Sequence, residues 1–256
     1  VFSLEDPREV DAGLENISVV LHCAGPFSRT ARPMAEACIR TKTHYLDITG
    51  EIEVFEAMAA LGSRAETAGV MLMPGTGFDV VPSDCLAAHL KRRMPDAVDL
   101  ELAFQAVGKP SRGTATTMVE GLSDGGMIRK DGEMTRVPSA FETRKLDFGR
   151  GEVSVMTIPW GDVSTAFYST GIPNIKVFMA ASPGMQKMAK RSRYLGWLLN
   201  SGLVQGFLKK KINDGPAGPN DLERSQGESL LWGKVTNAAG ESMESRLRTV
   251  EGYTLT

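Results

Sequence analysis

The chain has 256 residues, 42% of them apolar and 23% charged, which is ordinary globular usage and excludes wholesale disorder. Its 29 basic and 31 acidic residues leave a net charge of −2, so there is no global attraction for nucleic acid. No apolar run approaches the roughly 20 residues that a membrane-spanning helix needs. Three cysteines (Cys23, Cys38, Cys85) without C-x-x-C spacing argue against a disulfide framework or structural zinc. His22 and Cys23 are adjacent, so in a strand they point to opposite faces. No metal site is expected, and free thiols fit a reducing, cytoplasmic compartment. No secretory signal pattern is visible. The chain opens at Val1 inside what reads as a folded segment, and is expected to be a piece of a longer protein.

In chain order, Asp6-Pro7 reads as a helix start, a capping acid followed by proline in the first turn. Ser18–Cys23 is a β-branched apolar run ending in Ala24-Gly25-Pro26, the pattern of a strand buried on both faces. A helix is expected over Ala31–Thr41, with Met34, Ala37, Cys38 and Ile39 near one face. A second strand follows at His44–Ile48, a helix at Glu51–Ala68, a third strand at Val70–Met73 and a helix at Val81–Arg93. This alternation with short loops predicts parallel βαβ units covered by helices on both faces.

After about Asp99 the texture changes. Leu100–Val107 reads as a longer strand and Gly113–Gly121 as a short helix. Glu152–Ile158, Ser164–Ser169 and Asn174–Ala180 are β-like runs between Gly/Pro turns. Ser229–Thr236 and Met243–Val250 flank Asn237-Ala238-Ala239-Gly240, the pattern of a hairpin. Strands without crossover helices imply an antiparallel or mixed sheet. The expected fold is therefore α/β: a partial Rossmann-type parallel sheet over residues 1–98, then an α+β domain with a mixed or antiparallel sheet over 99–256.

Between Val163 and Asn213 there are eight bases and no acid, so the rest of the chain carries a net −10. Met185, Met188, Leu195, Leu198 and Leu199 keep helical spacing inside it. A basic amphipathic helix over residues 184–211 fits peripheral contact with an anionic membrane surface. It equally fits an apolar face packed on its own domain or on another subunit, the more ordinary arrangement.

Three strand ends followed by glycine are the places for chemistry, because ligands bind beyond the carboxyl ends of an open parallel sheet. In the first, Ala24, Gly25, Pro26 and Phe27 let a ligand approach backbone, or simply form a tight turn. In the second, Tyr45, Asp47 and Thr49 share one face of an extended segment ahead of Gly50 and Glu51. Buried, these groups either pair with each other or line a ligand cleft. Thr49 and Glu51 also suit a cap on the following helix. In the third, Gly75-x-Gly77-Phe78-Asp79-Val80 begins like a dinucleotide fingerprint but has Val80 in place of the last glycine, which argues against a pyrophosphate loop. Asp79 and Asp84, at a strand-to-helix junction, either cap the helix or face the cleft.

These loops, in this order and spacing, resemble the saccharopine dehydrogenase-like family, and in particular its trans-acting enoyl reductase branch. The matching stretches are VVLHCAGPFSRTARPMAEACIRTKTHYLDITGE, PGTGFDVVPSD, PWGDVSTAFYSTGIPNI and WGKVTNAAGESMESRLRTVEGYTLT. The resemblance implies a Rossmann-type domain binding NADP or NAD, followed by a substrate and dimerisation domain, hence a homodimer. It implies hydride transfer to or from a C=N or C=C bond of a small-molecule or lipid-like substrate. Cofactor-binding positions carried over are Ala24, Gly25, Pro26, Phe27, Asp47, Gly50, Gly77 and Phe78. Tyr45, Asp47 and Asp79, all at strand ends facing the expected crevice, are the candidate proton donors or orienters, with Asp79 first and Tyr45 the second catalytic candidate. The family's glycine-rich phosphate loop and its second strand have no counterpart in these residues, so the chain as written is expected to bind dinucleotide weakly or not at all. The alternative is a non-catalytic relative that docks to a membrane or protein partner through the basic helix.

Overall fold

The computed structural model describes residues 3–107, 125–199 and 221–255, with Gly206 and Gly218. By internal contacts the chain divides into two units, Val1–Val81 and Pro82–Leu255.

The first unit runs α1 (Pro7–Gly13), β1 (Val19–His22), α2 (Phe27–Thr41), β2 (His44–Asp47), α3 (Ile52–Ala60), α4 (Gly62–Ala68) and β3 (Leu72–Met73). Asp6 starts α1 as its sequence requires, its Oδ1 accepting the Arg8 N–H at 2.9 Å. α2 begins at Phe27, four residues ahead of expectation. The single helix expected over Glu51–Ala68 is two, parted at Leu61 where the weak helix formers Gly62 and Ser63 follow, and Gly69 ends the second in the left-handed region.

The three strands are parallel in the order β1-β2-β3, pairing Val20 with Tyr45 and Tyr45 with Leu72. Val20, Tyr45 and Leu72 face α1, α2 and α3 in one cluster with Val10, Met34, Cys38, Val54 and Met58. The opposite face is bare: Val19, Leu21 and Met73 are 51%, 59% and 46% exposed. This corrects the expectation that β1 is buried on both faces and that helices cover both sides. With strands laid down in one direction, right-handed crossovers put both connections on the same face.

The second unit contains α5 (Val81–Arg93, all but Val81), β4 (Ala97–Val107), β5 (Gly126–Lys130), β6 (Glu133–Val137), β7 (Thr143–Asp147), β8 (Glu152–Thr157), α6 (Asp162–Thr170), β9 (Asn174–Ala180), α7 (Pro183–Leu199), α8 (Asp221–Gln226), β10 (Glu228–Asn237), β11 (Ser242–Val250) and α9 (Gly252–Leu255). The sheet order is β11-β10-β4-β9-β5-β6, with β8 also pairing β9 and carrying β7. β4 and β9 are parallel and the other pairs antiparallel, giving the mixed sheet expected. On one face Leu100, Leu102, Val177, Leu231 and Val235 pack with Leu86, Ala87 and Leu90 of α5 and Val163 and Ala166 of α6. α5, assigned by the sequence to residues 1–98, thus shares its core with β4. On the other face Ala103, Phe178, Leu230 and Trp232 meet Phe148 and Val155.

Ser164–Ser169, expected as a strand, is helix α6. Val163, Ala166 and Thr170 are buried at helical spacing and Gly171 closes the helix in the left-handed region, a period that the β-branched composition masks. The β10–β11 hairpin forms as expected, Asn237 Oδ1 accepting the Ala239 and Glu241 N–H groups at 3.1 and 3.0 Å. Strands β5, β6 and β7 have no counterpart in the sequence reading, and the helix expected over Gly113–Gly121 lies outside the described residues. α7 buries Ala189 and Ser192 against its own unit while Met185 and Met188 stay exposed. The remainder of the 184–211 stretch lies largely outside the described residues. Among the described residues no helix is long and apolar enough to cross a membrane, and no three His, Cys, Asp or Glu side chains are grouped to hold a metal ion.

Candidate ligand site at the carboxyl ends of the parallel strands

The middle strand organises the site. Tyr45 and Asp47 alternate with Leu46 along β2, so both point to the helix-covered side, where they and Thr49 are fully buried. The sequence left two outcomes open for them, and mutual pairing is what is found. The Tyr45 hydroxyl donates to Asp47 Oδ2 at 2.7 Å, and Asp47 Oδ1 accepts the Thr49 and Gly75 N–H groups at 2.9 and 2.8 Å. The Asp47 carbonyl accepts from the Thr76 N–H and hydroxyl, both at 2.7 Å. One residue of β2 thereby holds the loop after β3. Burial, then Asp47, pushes the Tyr45 pKa well above its usual value, so its hydrogen stays with the protein.

The loop after β1 is anchored from both sides. Ala24, Gly25 and Pro26 are exposed. The Thr30 hydroxyl donates to the Ala24 carbonyl at 2.6 Å, and its oxygen lies 2.9 Å from His22 Nε2. Because the Thr30 hydrogen is engaged by Ala24, Nε2 carries the hydrogen that Thr30 accepts. His22 is 5% exposed, edge-on to Phe27 at 5.6 Å, and burial lowers its pKa despite the opposing charge of Asp47. At the other end, Glu51 Oε1 and Oε2 accept the Phe27 and Ser28 N–H groups at 3.0 and 2.9 Å. The Glu51 side chain therefore caps α2, although Glu51 itself occupies the N-cap position of α3 and offers that helix only its backbone carbonyl, while Thr49 Oγ1 accepts the Glu51 N–H at 3.1 Å. This external cap supplies the acceptor that Pro26, the N-cap residue, lacks.

The three glycines at the strand ends answer to different demands. A Cβ on Gly50 would lie 2.5 Å from Asp79 Oδ2, and one on Gly75, at φ +72°, 2.6 Å from Phe55 Cε1. Both positions are glycine for reasons internal to the fold. Gly25 is different: its φ lies outside the left-handed region, and an added Cβ would meet nothing closer than Phe27 atoms at 3.8 Å. Gly77 is buried, whereas Phe78 and Asp79 are half-buried. Burial raises the Asp79 pKa above its ordinary value of 3.8. Of the three groups weighed as proton donors or orienters, Tyr45 and Asp47 are fully buried and Asp79 is the one in contact with solvent. Asp84, set apart in the second unit, accepts from the Ser169 hydroxyl at 3.0 Å and ties α5 to α6.

Sequence reasoning missed His22, Thr30 and the true target of Glu51. Phe27 and Glu51 are 24 residues apart, and no local spacing announces their bond. A shallow depression of about 260 Å³ beside α1 and the later turns of α2, lined by Leu4, Val10, Arg32, Pro33, Glu36 and Arg40, contains none of the candidate residues.

In open parallel sheets ligands bind beyond the carboxyl ends of the strands, and here one of the turns at those ends, Ala24–Pro26, is exposed. Residues 1–73 match the family model described as the saccharopine dehydrogenase NADP binding domain. The chain is similar to the mouse (Mus musculus) saccharopine dehydrogenase-like oxidoreductase, 26% identical over 137 residues, 51% of this chain and 32% of that protein. It is similar also to a trans-acting enoyl reductase of Mycobacterium leprae, 35% identical over 95 residues, 37% of this chain and 23% of the other. The matched segment thus spans about a third or less of these relatives' lengths. The solved structure of saccharopine dehydrogenase (L-Glu forming) from Saccharomyces cerevisiae shares the fold, with a TM-score of 0.56 at 12% identity, over 97% of this chain and 74% of that one. The family resemblance read from the loops is borne out by these matches.

Proposed function

We propose that this chain is part of an NAD(P)-dependent oxidoreductase of the saccharopine dehydrogenase-like type. The observation that carries the reading is the exposed Ala24–Phe27 turn. It is held rigidly at both ends, and Gly25 has no internal reason to lack a side chain. A ligand that comes up against the backbone there supplies the reason. The turn lies within the 73 residues that match a domain described as NADP-binding, which supports NADP or NAD as that ligand.

A nicotinamide cofactor supplies hydride transfer, and we assign the acceptor or donor to a C=N or C=C bond of a small-molecule or lipid-like substrate, by likeness to the named relatives. Ala24, Gly25, Pro26 and Phe27 would hold the cofactor by backbone and ring contact. Asp79 is the proton donor in this reading, burial raising its carboxyl pKa above the ordinary value. Asp47 and Gly50 act one step back, keeping the second and third loops together.

Titration of the intact protein with NADPH and NADH, followed by nicotinamide fluorescence, is expected to show saturable binding with preference for one of the two. Failure to bind either would end this reading. Replacing Asp79 with Asn is expected to lower turnover more than cofactor affinity; the reverse pattern would make Asp79 a binding group.

A further inference from the structure

Proteins that bind a flat, charged ligand on a backbone turn must hold that turn in shape before the ligand arrives, or lose affinity to the cost of ordering it. Ala24, Gly25 and Pro26 are exposed, and Phe27, half-buried on the core and edge-on to His22, is the one large side chain that the turn itself provides as an anchor. Two groups from elsewhere fix its backbone. Thr30, backed by buried His22, fixes the Ala24 carbonyl, and the Glu51 carboxylate receives the Phe27 and Ser28 N–H groups together. Glu51 belongs to the loop after β2, whose first residues are in turn fixed through Asp47 to the loop after β3.

From this arrangement we infer that Glu51 is a positioning residue for the ligand turn: it sets the backbone of Ala24–Phe27 in its binding shape from outside, without touching the ligand. The carboxylate fills the N-terminus of α2, where an anion would otherwise be drawn by the unpaired N–H groups and the helix dipole. The cofactor's phosphates therefore do not bind at α2, and this turn meets another part of the ligand. Glu51 also joins the first loop to the second, so hydrogen bonds connect all three strand-end loops. The inference rests on the reading of this turn as a cofactor contact.

The test compares Glu51→Gln with wild type in the intact protein by two measurements, amide hydrogen exchange at Phe27 and Ser28 and NADPH titration. Glutamine keeps the size of the side chain but can accept only one of the two N–H groups, since its amide nitrogen is a donor. Exchange should accelerate at the amide that loses its acceptor, and NADPH binding should weaken about tenfold, the loss of one charge-assisted hydrogen bond. Thr30→Val, which releases the other end of the turn, should weaken binding in the same direction. Asp11→Asn serves as control, because it breaks a bidentate pair with Arg40 in the same unit, away from the strand ends. It should change neither measurement. Exchange unchanged in Glu51→Gln, or faster exchange with undiminished NADPH binding, would overturn the inference. Should wild type bind no dinucleotide, the proposed function falls. The exchange data then decide the role of Glu51 alone: acceleration confined to the turn retains it as the residue that shapes the turn, and none rejects it.

Discussion

In the first unit the parallel strands are short, four residues in β1 and β2, and the groups buried at their ends are polar: His22, Asp47 and Thr49. In the second unit β4 runs for 11 residues between apolar layers, and ion pairs there such as Arg144 with Glu101 and Lys176 with Glu142 are partly exposed. The difference is one of where stability is placed. The mixed sheet distributes it over many apolar contacts, each replaceable at modest cost. The parallel sheet has an apolar cluster on its helix side and adds a few buried hydrogen-bonded groups at its carboxyl strand ends, where removing one partner leaves others buried and unsatisfied. Pre-organised loops and local fragility follow from the same design.

The sharpest way to break the comparison is Asp47→Ala. It orphans the Tyr45 hydroxyl and the Thr49 and Gly75 amides together, and should destabilise the first unit by about 3–5 kcal/mol. Chemical denaturation followed by a probe in each unit would show an early transition for the first alone. A first-unit transition unchanged from that of wild type would mean that the network carries little energy.

A smaller, pH-dependent effect is expected from His22. Its folded pKa lies below the ordinary 6.5, so the unfolded chain binds the proton more readily. The stability that neutral His22 contributes is complete above pH 6.5 and is lost as pH falls from there through the lowered folded value. His22→Gln should flatten this acid-side slope in melting temperature measured between pH 7 and 5. An unchanged slope would assign the acid sensitivity to carboxyl groups.

The smallest effect on stability, and the most discriminating, is expected for Gly25→Ala. With only ordinary van der Waals contact to Phe27 around the Cβ position, stability should stay within about 0.5 kcal/mol of wild type, while NADPH binding weakens. Gly50→Ala is the contrast, since its Cβ would strike the Asp79 carboxyl and lower stability and binding together. Equal loss of stability in both variants would return Gly25 to the status of an ordinary turn residue.

Much of this protein was legible in its residues. Apolar runs closed by glycine marked β1, β2 and β3, Asp6-Pro7 marked α1, and the Asn237–Gly240 turn marked the terminal hairpin, because each rests on local periodicity or turn chemistry. Strands β5, β6 and β7 escaped, being short and without apolar alternation, and α6 was misread because its Ser/Thr-rich composition speaks for a strand while its burial follows a helical period. The bare face of β1 followed from strand order and crossover hand, which no single segment encodes.

The site divides in the same way. Sequence alone placed the Ala24–Phe27 turn, the Tyr45-x-Asp47-x-Thr49 alternation and Asp79 at three strand ends, since spacing along one segment determines which side chains share a face. Only the tertiary structure decided that Asp47 faces inward to Tyr45 and Gly75, that Glu51 caps a helix begun 24 residues earlier, and that Gly25 alone among the strand-end glycines Gly25, Gly50 and Gly75 has room for a side chain. Hydrogen-bond partners and the space around a Cβ are set by segments distant in the chain, and their meeting is fixed by how the helices close on the sheet.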